Sequence, residues 1–560
     1  MRHNIIHQQL ILDAIEKKIA SSESLQKLKN QYCEKYKLKS ILNIDLLNEY
    51  KQLLNNKIIH RNTVLESLFK KRGVRTLSGI SPITVLTKPF ACPGTCIFCP
   101  AEPDMPKSYL SNEPAVQRAI LNRWNGLKQI HNRLYSLQIT GHNIEKNELI
   151  VAGGTWSYYP KQYQQQFIKS CFDGFNTFPK ISKNIISAEK TGDQFAKFTT
   201  KNIHLALSKN LEEAKKKNEQ STCRVIGMSL ETRPDYITPE EIIRMRSYGC
   251  TRVQLGVQSI YDDVLNINKR GHGVKESIQA IRLLKDAGLK VDYHMMPGLL
   301  GSTKEKDIAM FQELFHNPDF QPDQLKIYPC SIVPYSALEQ IYKKGQYQPY
   351  SEEELIDILS TIKTTSIPPY VRISRLIRDI PSTSILAGSK RTNLRQLIQE
   401  KLQQEGKRCR CIRCREVRDQ EVRALQPELI VREYLASGGK EYFISFEDTK
   451  KDVLFGFCRL RIPSQYFTGE KHFIQELGGA SIVRELHVYG IQVPIDTKED
   501  MAVQHFGFGK KLMKEAENIT KRMGIKKIAV TSGIGVRAYY RKLGYKKQGE
   551  YMIKQISDQS

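Results

Sequence analysis

The sequence predicts an α/β protein in which a parallel sheet precedes a second, smaller α/β unit. Between residues 81 and 380, short apolar runs alternate with amphipathic helical patterns, which is typical of parallel strands joined by helical crossovers. After residue 425 the pattern changes to several strands around one clear amphipathic helix. A chain of 560 residues is also too long for a single hydrophobic core. We therefore expect four regions, at 1–80, 81–380, 381–425 and 426–560.

The composition favours an anionic partner and a reducing compartment. Lys and Arg outnumber Asp and Glu by 86 to 59, a net charge of +27, which favours nucleic acid because neutralised phosphates release counterions. A generic basic surface is the alternative. Six of the twelve cysteines fall in two tight groups, which is ligand spacing and not a disulfide framework. The sequence contains no signal peptide and no long apolar stretch, so we expect a cytoplasmic protein without membrane spans.

Residues 1–80 are expected to form a basic helical segment. Ile5, Leu10, Ile11 and Ala14 recur at helical spacing. The segment ends in a basic run that adjoins the first cysteine group. This run is either a solvated helix face or an arm that contacts RNA phosphates. Its candidate RNA-binding residues are Lys70, Lys71, Arg72 and Arg75.

Six apolar runs are candidate strands of the first sheet. They lie at 83–86, 148–152, 225–230, 252–257, 290–295 and 324–328. Together they predict an open sheet, or a full or partial TIM-type barrel, and in such barrels the active residues lie at the carboxyl ends of the strands. The motifs of this region follow that rule, because each of them comes directly after one of the first five runs or overlaps its carboxyl end.

The motif after the first run contains Cys92, Cys96 and Cys99 in a C-x3-C-x2-C array, with Phe98 before the last cysteine. Three thiolates suit a [4Fe-4S] cluster in which one iron can bind a small molecule. A zinc site and unrelated thiols are the alternatives, but zinc normally takes four ligands and no fourth Cys or His follows closely. The array resembles the signature of radical S-adenosylmethionine (SAM) enzymes. Gly153 and Gly154 then look like the glycine motif that binds the SAM amino group.

Residues 381–425 are predicted to be a basic, cysteine-rich linker. Cys409, Cys411 and Cys414 form a C-x-C-x2-C array within it. A structural zinc that fastens the linker is favoured by the charged surroundings, and a second iron–sulfur cluster or free thiols are the alternatives. A fourth ligand is not evident. The candidate RNA-binding residues around the array are Arg391, Arg408, Arg410 and Arg413.

The last unit has a glycine turn before its amphipathic helix. The Q-x-x-G-x-G sequence at 504–509 leads into a helix predicted from about 508 to 523, and such a helix start can bind a pyrophosphate. A P-loop is excluded because no G-K-[ST] follows. Strand patterns lie at 441–447, 453–460, 481–489 and 527–531, and Tyr539 and Tyr540 follow them. This order resembles the GNAT acetyltransferase fold, in which the glycine turn binds coenzyme A.

Five further motifs carry a more specific resemblance. They are Glu231-Thr-Arg-Pro-Asp-Tyr236, Gly256-Val-Gln-Ser259, Asn268-Lys-Arg-Gly-His272, His294-Met-Met-Pro297 and Arg484-Glu-Leu-His-Val-Tyr-Gly490. With a radical-SAM barrel joined to a GNAT domain, they are similar to the elongator protein 3 family, the catalytic subunit of Elongator, over about residues 65–555. The three-residue gap between Cys92 and Cys96 resembles prokaryotic members. This implies an enzyme able to act without the other Elongator subunits.

The resemblance implies a tRNA uridine(34) acetyltransferase that consumes SAM and acetyl-CoA. A 5′-deoxyadenosyl radical would take a hydrogen from the acetyl methyl group, and the carbon radical would add to C5 of the wobble uridine. The product is a carboxymethyl-type group. The implied partners are the tRNA anticodon stem-loop and an electron donor of the ferredoxin or flavodoxin type. The rival hypotheses are a histone-type protein lysine acetyltransferase with a structural iron–sulfur cluster, and a non-catalytic tRNA-binding scaffold.

The resemblance also implies roles for individual residues. The candidate catalytic residues are Tyr540, Glu485 and Lys146, with Tyr540 in the position that protonates the departing CoA thiolate and Lys146 in a position of acetyl-CoA contact. Glu485 also belongs to a splayed GNAT strand whose backbone pairs with the pantetheine arm. The other expected acetyl-CoA contacts are Leu486, His487, Val488, Phe508, Gly509 and Lys510.

Overall fold

A computed structural model describes residues 2–69, 79–191, 194–200, 204–417, 425–489 and 507–556. The chain begins with four helices: α1 (Arg2–Glu16), α2 (Ser22–Lys35), α3 (Asn43–Asn55) and α4 (Thr63–Phe69). Their apolar faces meet in a core of their own that includes Leu10, Leu28 and Leu46. The predicted helical start of the chain is therefore confirmed. Lys70, Lys71, Arg72 and Arg75, the predicted RNA contacts of this segment, lie outside the described residues.

The next region contains a parallel sheet of seven strands, hereafter the half-barrel. Its order is β1-β2-β5-β6-β7-β8-β9, and every neighbouring pair is parallel. No pairing joins the two edge strands, β1 and β9, within the described residues, so the barrel is partial. β3 and β4 form a separate antiparallel hairpin. The strands of this region are β1 (Ser81–Leu86), β2 (Lys146–Ala152), β3 (Ile185–Thr191), β4 (Gln194–Thr200), β5 (Arg224–Thr232), β6 (Arg252–Gln258), β7 (Lys290–Met295), β8 (Gln324–Ile327) and β9 (Arg372–Arg375).

Helices pack around the half-barrel. Thr238, for example, caps one of them by accepting a hydrogen bond from the Glu241 N–H, and Pro239 occupies its first turn, where an N–H is not needed. The helices are α5 (Pro114–Leu121), α6 (Gly126–Ile139), α7 (Lys161–Ser182), α8 (Leu211–Asn218), α9 (Pro239–Ser247), α10 (Asp262–Ile267), α11 (Val274–Asp286), α12 (Lys304–His316), α13 (Ala337–Lys343), α14 (Glu352–Thr365) and α15 (Leu394–Gln404). No described helix combines the length and apolar character needed to span a bilayer.

Alternate residues of the half-barrel strands have opposite environments. In β7, Val291 and Tyr293 belong to the main hydrophobic core, whereas Asp292 and His294 line an internal cavity. Because side chains alternate across a strand, one face of the sheet packs on helices and the other encloses the cavity. The same alternation holds in β6 and β8.

The second sheet also has seven strands, in the order β10-β11-β12-β13-β14-β16-β15. Only β13 and β14 are parallel, and their pairing ends at Val483 and Val530, so the two strands diverge beyond Val483. β13 also carries a bulge at this point, opposite Arg459 and Leu460. The elements are α16 (Ile412–Arg415), β10 (Glu428–Ala436), β11 (Gly439–Asp448), β12 (Val453–Ile462), α17 (Ser464–Thr468), β13 (Ala480–Val488), α18 (Phe508–Arg522), β14 (Lys527–Val530), α19 (Arg537–Lys542), β15 (Lys546–Gln548) and β16 (Tyr551–Gln555). The predicted fold class, a partial barrel followed by an α/β domain, is confirmed.

The second sheet docks on the amino-terminal ends of the half-barrel strands. Arg484 of β13 forms an ion pair of 2.6 Å with Asp323, which directly precedes β8. Lys290, the first residue of β7, lies 3.5 Å from Glu485. The cysteine loop follows the opposite, carboxyl end of β1. The cavity therefore passes through the half-barrel, from the cysteine loop to the second sheet.

Candidate functional site

The loop after β1 holds the first three cysteines beside two arginines. Ile97 donates its N–H to the Asn268 carbonyl at 3.2 Å, which ties the loop to the chain after β6. The Arg270 guanidinium donates to Cys96 Sγ at 3.4 Å. A hydrogen bond from the Cys99 thiol and the charge of Arg270 lower the pKa of Cys96 to about 5, although burial opposes the shift. The loop therefore stabilises a thiolate, which is the form that binds iron.

The cysteines differ in what they face. Cys99 lines the internal cavity, whereas Cys92 lies 3.7 Å from the Thr155 hydroxyl, next to the glycine pair. Three cysteine sulfurs, an arginine on one of them and an adjoining cavity fit a cluster with one iron open to a small ligand.

The glycine pair after β2 adopts a backbone that other residues avoid. Gly153 has φ +125° and Gly154 has φ +112°. A Cβ on Gly153 would lie 2.2 Å from the Thr87 hydroxyl oxygen, so this glycine is needed for close packing against the end of β1. A Cβ on Gly154 would meet only the Lys107 carbonyl oxygen, at 3.9 Å. Gly154 thus leaves the backbone open toward a ligand, and its predicted role with SAM remains a prediction.

The internal cavity has a volume of about 1500 Å³ and spans both sheets. Cys99 and Tyr109 line it near the cysteine loop, and Glu485, His487 and Tyr489 line it on the second sheet. It also reaches the open side of the half-barrel, between β1 and β9. Arginines gather there: Arg118, Arg133, Arg372, Arg375, Arg378, Arg391, Arg395 and Arg413.

The middle of the cavity wall carries a polar cluster that the sequence motifs revealed only in part, through Glu231 and His294. Lys326 donates to the Gln254 side-chain carbonyl, and a ring nitrogen of His294 lies 3.2 Å from the same oxygen. Burial lowers the pKa of Lys326 to about 8, although Asp292 and Glu231 oppose this. Burial also raises the pKa of Asp292, whose carboxylate oxygens have no hydrogen-bond partner among the described residues. For Gln254, Asp292 and Lys326 the only signal in the sequence was polar residues at alternate strand positions.

Glu485 lies in the diverging part of β13. Its carboxylate accepts a hydrogen bond from Arg459 Nε at 3.0 Å and lies 3.5 Å from Lys290 Nζ. Burial disfavours the carboxylate, but Lys290 and Arg459 outweigh it and lower the pKa of Glu485 to about 2. The side chain is thus an anion at neutral pH and a weak base. Leu486, His487 and Val488 continue the strand beside it.

Helix α18 begins at Phe508, directly after Gly507, which has φ +69°. Residues 504–506 of the glycine sequence lie outside the described part of the chain. A Cβ on Gly509 would lie 2.8 Å from the Tyr539 hydroxyl, so Tyr539 covers the start of the helix. Tyr540, the tyrosine predicted to face CoA, is 6 % exposed in the core of the second sheet, and burial raises its pKa. Tyr539 was not among the site residues predicted from the sequence. Lys510, a predicted contact of acetyl-CoA, is exposed.

Lys146 is the first residue of β2, at the end of the half-barrel that faces the second sheet. It pairs in register with Arg224, and Arg224 packs against Gly535 of the second domain. Burial lowers the pKa of Lys146. It does not belong to the cavity lining. The structure therefore brings Lys146 to the boundary between the two domains.

The second cysteine group forms a compact trio. The sulfur atoms of Cys409, Cys411 and Cys414 all lie within 4.8 Å of one another. In the described chain no fourth His, Cys, Asp or Glu joins them. Among its neighbours, Arg413 and Arg391 line the cavity. Arg408 and Arg410 instead lie near Asp452, at 3.3 and 3.8 Å.

The fold and the cysteine loop define a protein of the radical SAM class, for which a [4Fe-4S] cluster and SAM are implied. The family model of the Radical SAM superfamily matches residues 88–314, and that of the Radical_SAM C-terminal domain matches residues 322–404. The tRNA uridine(34) acetyltransferase of Methanocaldococcus infernus is 43% identical over 509 residues, 88% of this chain and 89% of that protein. Elongator complex protein 3 of Mus musculus is 39% identical over 514 residues, 89% of this chain and 88% of that protein.

A solved structure gives the same result. The archaeal Methanocaldococcus infernus Elp3 with an N-terminal deletion is 41% identical, with a TM-score of 0.71, over 86% of this chain and all of that one. The chain belongs to the family of tRNA uridine(34) acetyltransferases and Elongator complex protein 3.

Proposed function

We propose that this chain is a tRNA uridine(34) acetyltransferase that joins the methyl carbon of acetyl-CoA to C5 of the wobble uridine, giving a carboxymethyl-type group. The observation that carries the proposal is the continuous cavity between the cysteine loop and the second sheet. A carbon–carbon bond at C5 needs a radical source and an acyl donor that meet at one base. One cavity that reaches both domains provides that meeting point.

On the half-barrel side, Cys92, Cys96 and Cys99 would hold the cluster, and Gly153 and Gly154 would approach SAM. When bound, such a cluster would supply the one electron that cleaves SAM into methionine and a 5′-deoxyadenosyl radical. Arg270 balances the charge of the Cys96 thiolate.

On the second-sheet side, β13 from Glu485 to Val488 would pair its backbone with the pantetheine arm, since β14 diverges there. Phe508, Gly509 and Lys510 would bind the pyrophosphate at the start of α18. Tyr540, with Tyr539 beside it, and Lys146 are the residues proposed to act on the thioester. We assign the ionised Glu485 to positioning of the strand and not to proton abstraction, because its pKa of about 2 makes it a weak base.

The tRNA anticodon stem-loop would enter at the open side between β1 and β9. Arg391 and Arg413 line the cavity there, and arginine binds phosphate bidentately. The target uridine has to leave its stack to reach the cavity. The basic run at 70–75 would contribute from the N-terminal segment, and Arg408 and Arg410 from the linker.

We also propose a structural metal, activity without other subunits and a protein electron donor. Cys409, Cys411 and Cys414 would bind a structural zinc, since three clustered sulfurs fit a single ion. The prokaryotic relatives carry the name tRNA uridine(34) acetyltransferase, which mentions no complex, and this supports activity without other Elongator subunits. The reduced cysteines fit the cytoplasm, where a ferredoxin or flavodoxin would supply electrons.

The test follows isotope from the acetyl methyl group. Reconstituted protein, SAM, reductant, tRNA and methyl-labelled acetyl-CoA should give labelled wobble nucleoside together with 5′-deoxyadenosine, both detected by mass spectrometry. Cys96→Ser should abolish both products but keep acetyl-CoA binding, whereas Cys33→Ser, in the N-terminal helices, should keep them. Acetylated protein lysines without 5′-deoxyadenosine would establish the rival protein acetyltransferase.

A further inference from the structure

An exposed group of aromatic side chains lies beside the first cysteine loop. Phe90 is 38% exposed and Tyr158 is 40% exposed, and their ring centroids are 6.0 Å apart. Tyr236 packs edge-on against Tyr158 at 5.9 Å. We name these three residues the aromatic patch. Large exposed aromatic side chains that lie together mark an interaction surface more often than isolated ones do.

The aromatic patch is on the outer flank of the cysteine loop. Phe90 precedes Cys92 by two residues, and Thr155, the Cys92 neighbour, precedes Tyr158 by three. The cavity lining includes Cys99 but neither Cys92 nor any residue of the patch. The loop therefore separates the cavity, where the substrates would react, from the patch on the surface.

Exposed lysines lie close to the aromatic patch along the chain. Lys88 precedes Phe90 by two residues, Lys161 follows Tyr158 by three, and Lys269 is exposed beside Asn268, which bonds the loop. Asp235, the carboxylate nearest the patch in the sequence, forms a bidentate ion pair with the Arg233 guanidinium, with N–O distances of 2.8 and 2.9 Å. The three exposed lysines, hereafter the lysine rim, would complement an acidic surface.

We propose that the aromatic patch and its lysine rim form the docking surface for an acidic one-electron carrier of the flavodoxin or ferredoxin type. This inference rests on the proposed function, which requires the cluster to be reduced. One electron passes from the reduced carrier to the cluster at Cys92, Cys96 and Cys99; the carrier is oxidised by one electron, and no bond forms or breaks. Electron-transfer encounters are small and transient, which suits a patch of three aromatic residues.

The aromatic patch could instead stack unpaired RNA bases. Its position argues for the carrier, because the arginines expected to hold tRNA line the cavity, on the other side of the loop. The experiment separates the two partners.

The test compares two reductants on the reconstituted full chain. In the double variant Lys88→Glu/Lys161→Glu, flavodoxin affinity measured by calorimetry and the rate of cluster reduction by reduced flavodoxin should each fall about tenfold. Phe90→Ala/Tyr158→Ala should lower the affinity similarly. Cluster reduction by dithionite, followed by EPR, should stay unchanged in both. Lys450→Glu/Lys471→Glu, the same charge change at exposed positions of the second domain, is the matched control.

Three results would overturn the proposal. Equal slowing with flavodoxin and dithionite would show a distorted cysteine loop. A fall in tRNA affinity with unchanged flavodoxin binding would show an RNA surface. Unchanged flavodoxin binding and reduction would show that the carrier docks elsewhere. None of these measurements depends on tRNA modification, so failure of the proposed function would be seen separately.

Discussion

Lys326 is a cation inside a protein wall that also contains the carboxylates of Asp292 and Glu231. Burial lowers its pKa from 10.5 to about 8, so the ammonium begins to lose its proton just above neutral pH. An unfolded lysine keeps its proton to about pH 10.5. Folding thus releases a proton between pH 8 and 10.5, and this residue makes stability rise with pH in that window.

The first prediction concerns this lysine. Because Lys326 faces the cavity, we expect its charged form to contact a substrate oxygen, so that tRNA modification declines above pH 8. Lys326→Arg should move the decline to higher pH, since guanidinium stays protonated, and Lys326→Met should lower the rate by about 10²-fold. Rates of nucleoside formation between pH 6.5 and 9.5 test this. Lys343→Arg, an exposed lysine on α13, is the control, and an unshifted decline in Lys326→Arg would refute the assignment.

At the scale of elements, α16 connects the two sheets. The Ile412 N–H donates to the Val371 carbonyl beside β9 at 2.9 Å, and the Val417 N–H donates to Leu454 of β12 at 3.0 Å. Cys411 directly precedes this single helical turn and Cys414 lies within it, so two sulfur atoms of the cysteine trio belong to the turn or its cap. A turn of four residues cannot stabilise itself, so an ion at the trio would hold it in place.

We therefore expect Cys411→Ser to remove one zinc per chain and to destabilise the protein by about 2 kcal/mol, in the range for loss of a buried polar or metal contact. Elemental analysis measures the metal, and thermal unfolding in the presence and absence of a chelator measures the stability. Cys33→Ser should change neither quantity. Iron in place of zinc at this trio would support a second cluster, the alternative that the spacing left open.

At the scale of the whole molecule, a buried charge network joins the half-barrel to the second sheet. Asp323 accepts hydrogen bonds from Arg484 at 2.6 and 2.8 Å, and Arg484 also bonds Glu441 at 2.8 Å. Arg461 reaches across to Asp286 at 2.7 Å. These side chains have almost no contact with water, so each charge depends on its ion-pair partners, which for Asp323 and Asp286 include an arginine of the other domain.

Asp323→Asn should accordingly cost about 3–5 kcal/mol, because it removes the buried negative charge that Arg484, Lys285 and Arg459 share and leaves Arg484 with Glu441 alone. Urea unfolding followed by circular dichroism measures the loss. Hydrogen exchange should also increase in β13 and β8, the strands on either side of the network. Glu23→Gln breaks the exposed pair with Lys27 and should have little effect. Unchanged exchange at β13 would mean that the network does not hold the domains together.

Much of the fold was readable from local patterns. The sequence placed β7 at 290–295 and α18 from about 508 to 523, and the structure has them at Lys290–Met295 and Phe508–Arg522. It missed six strands, β3, β4, β9, β10, β15 and β16, of which β9 and β10 show the reason. β9 has only four residues, one of them apolar, and β10 is an edge strand with Leu429 and Leu435 exposed, so neither has the pattern of a buried strand.

The sequence by itself determined the chemistry of the loops, because cysteine spacing and glycine turns are local and their residue types limit what they can bind. Only the tertiary structure decided how these parts meet. It placed Glu485 and Cys99 on one cavity, and it made Lys326 and Asp292 wall residues of that cavity. It also placed Tyr539, and not Tyr540, over the start of α18. These facts depend on strand order, on side-chain alternation and on the docking of one sheet below the other, which are contacts between residues far apart in the chain.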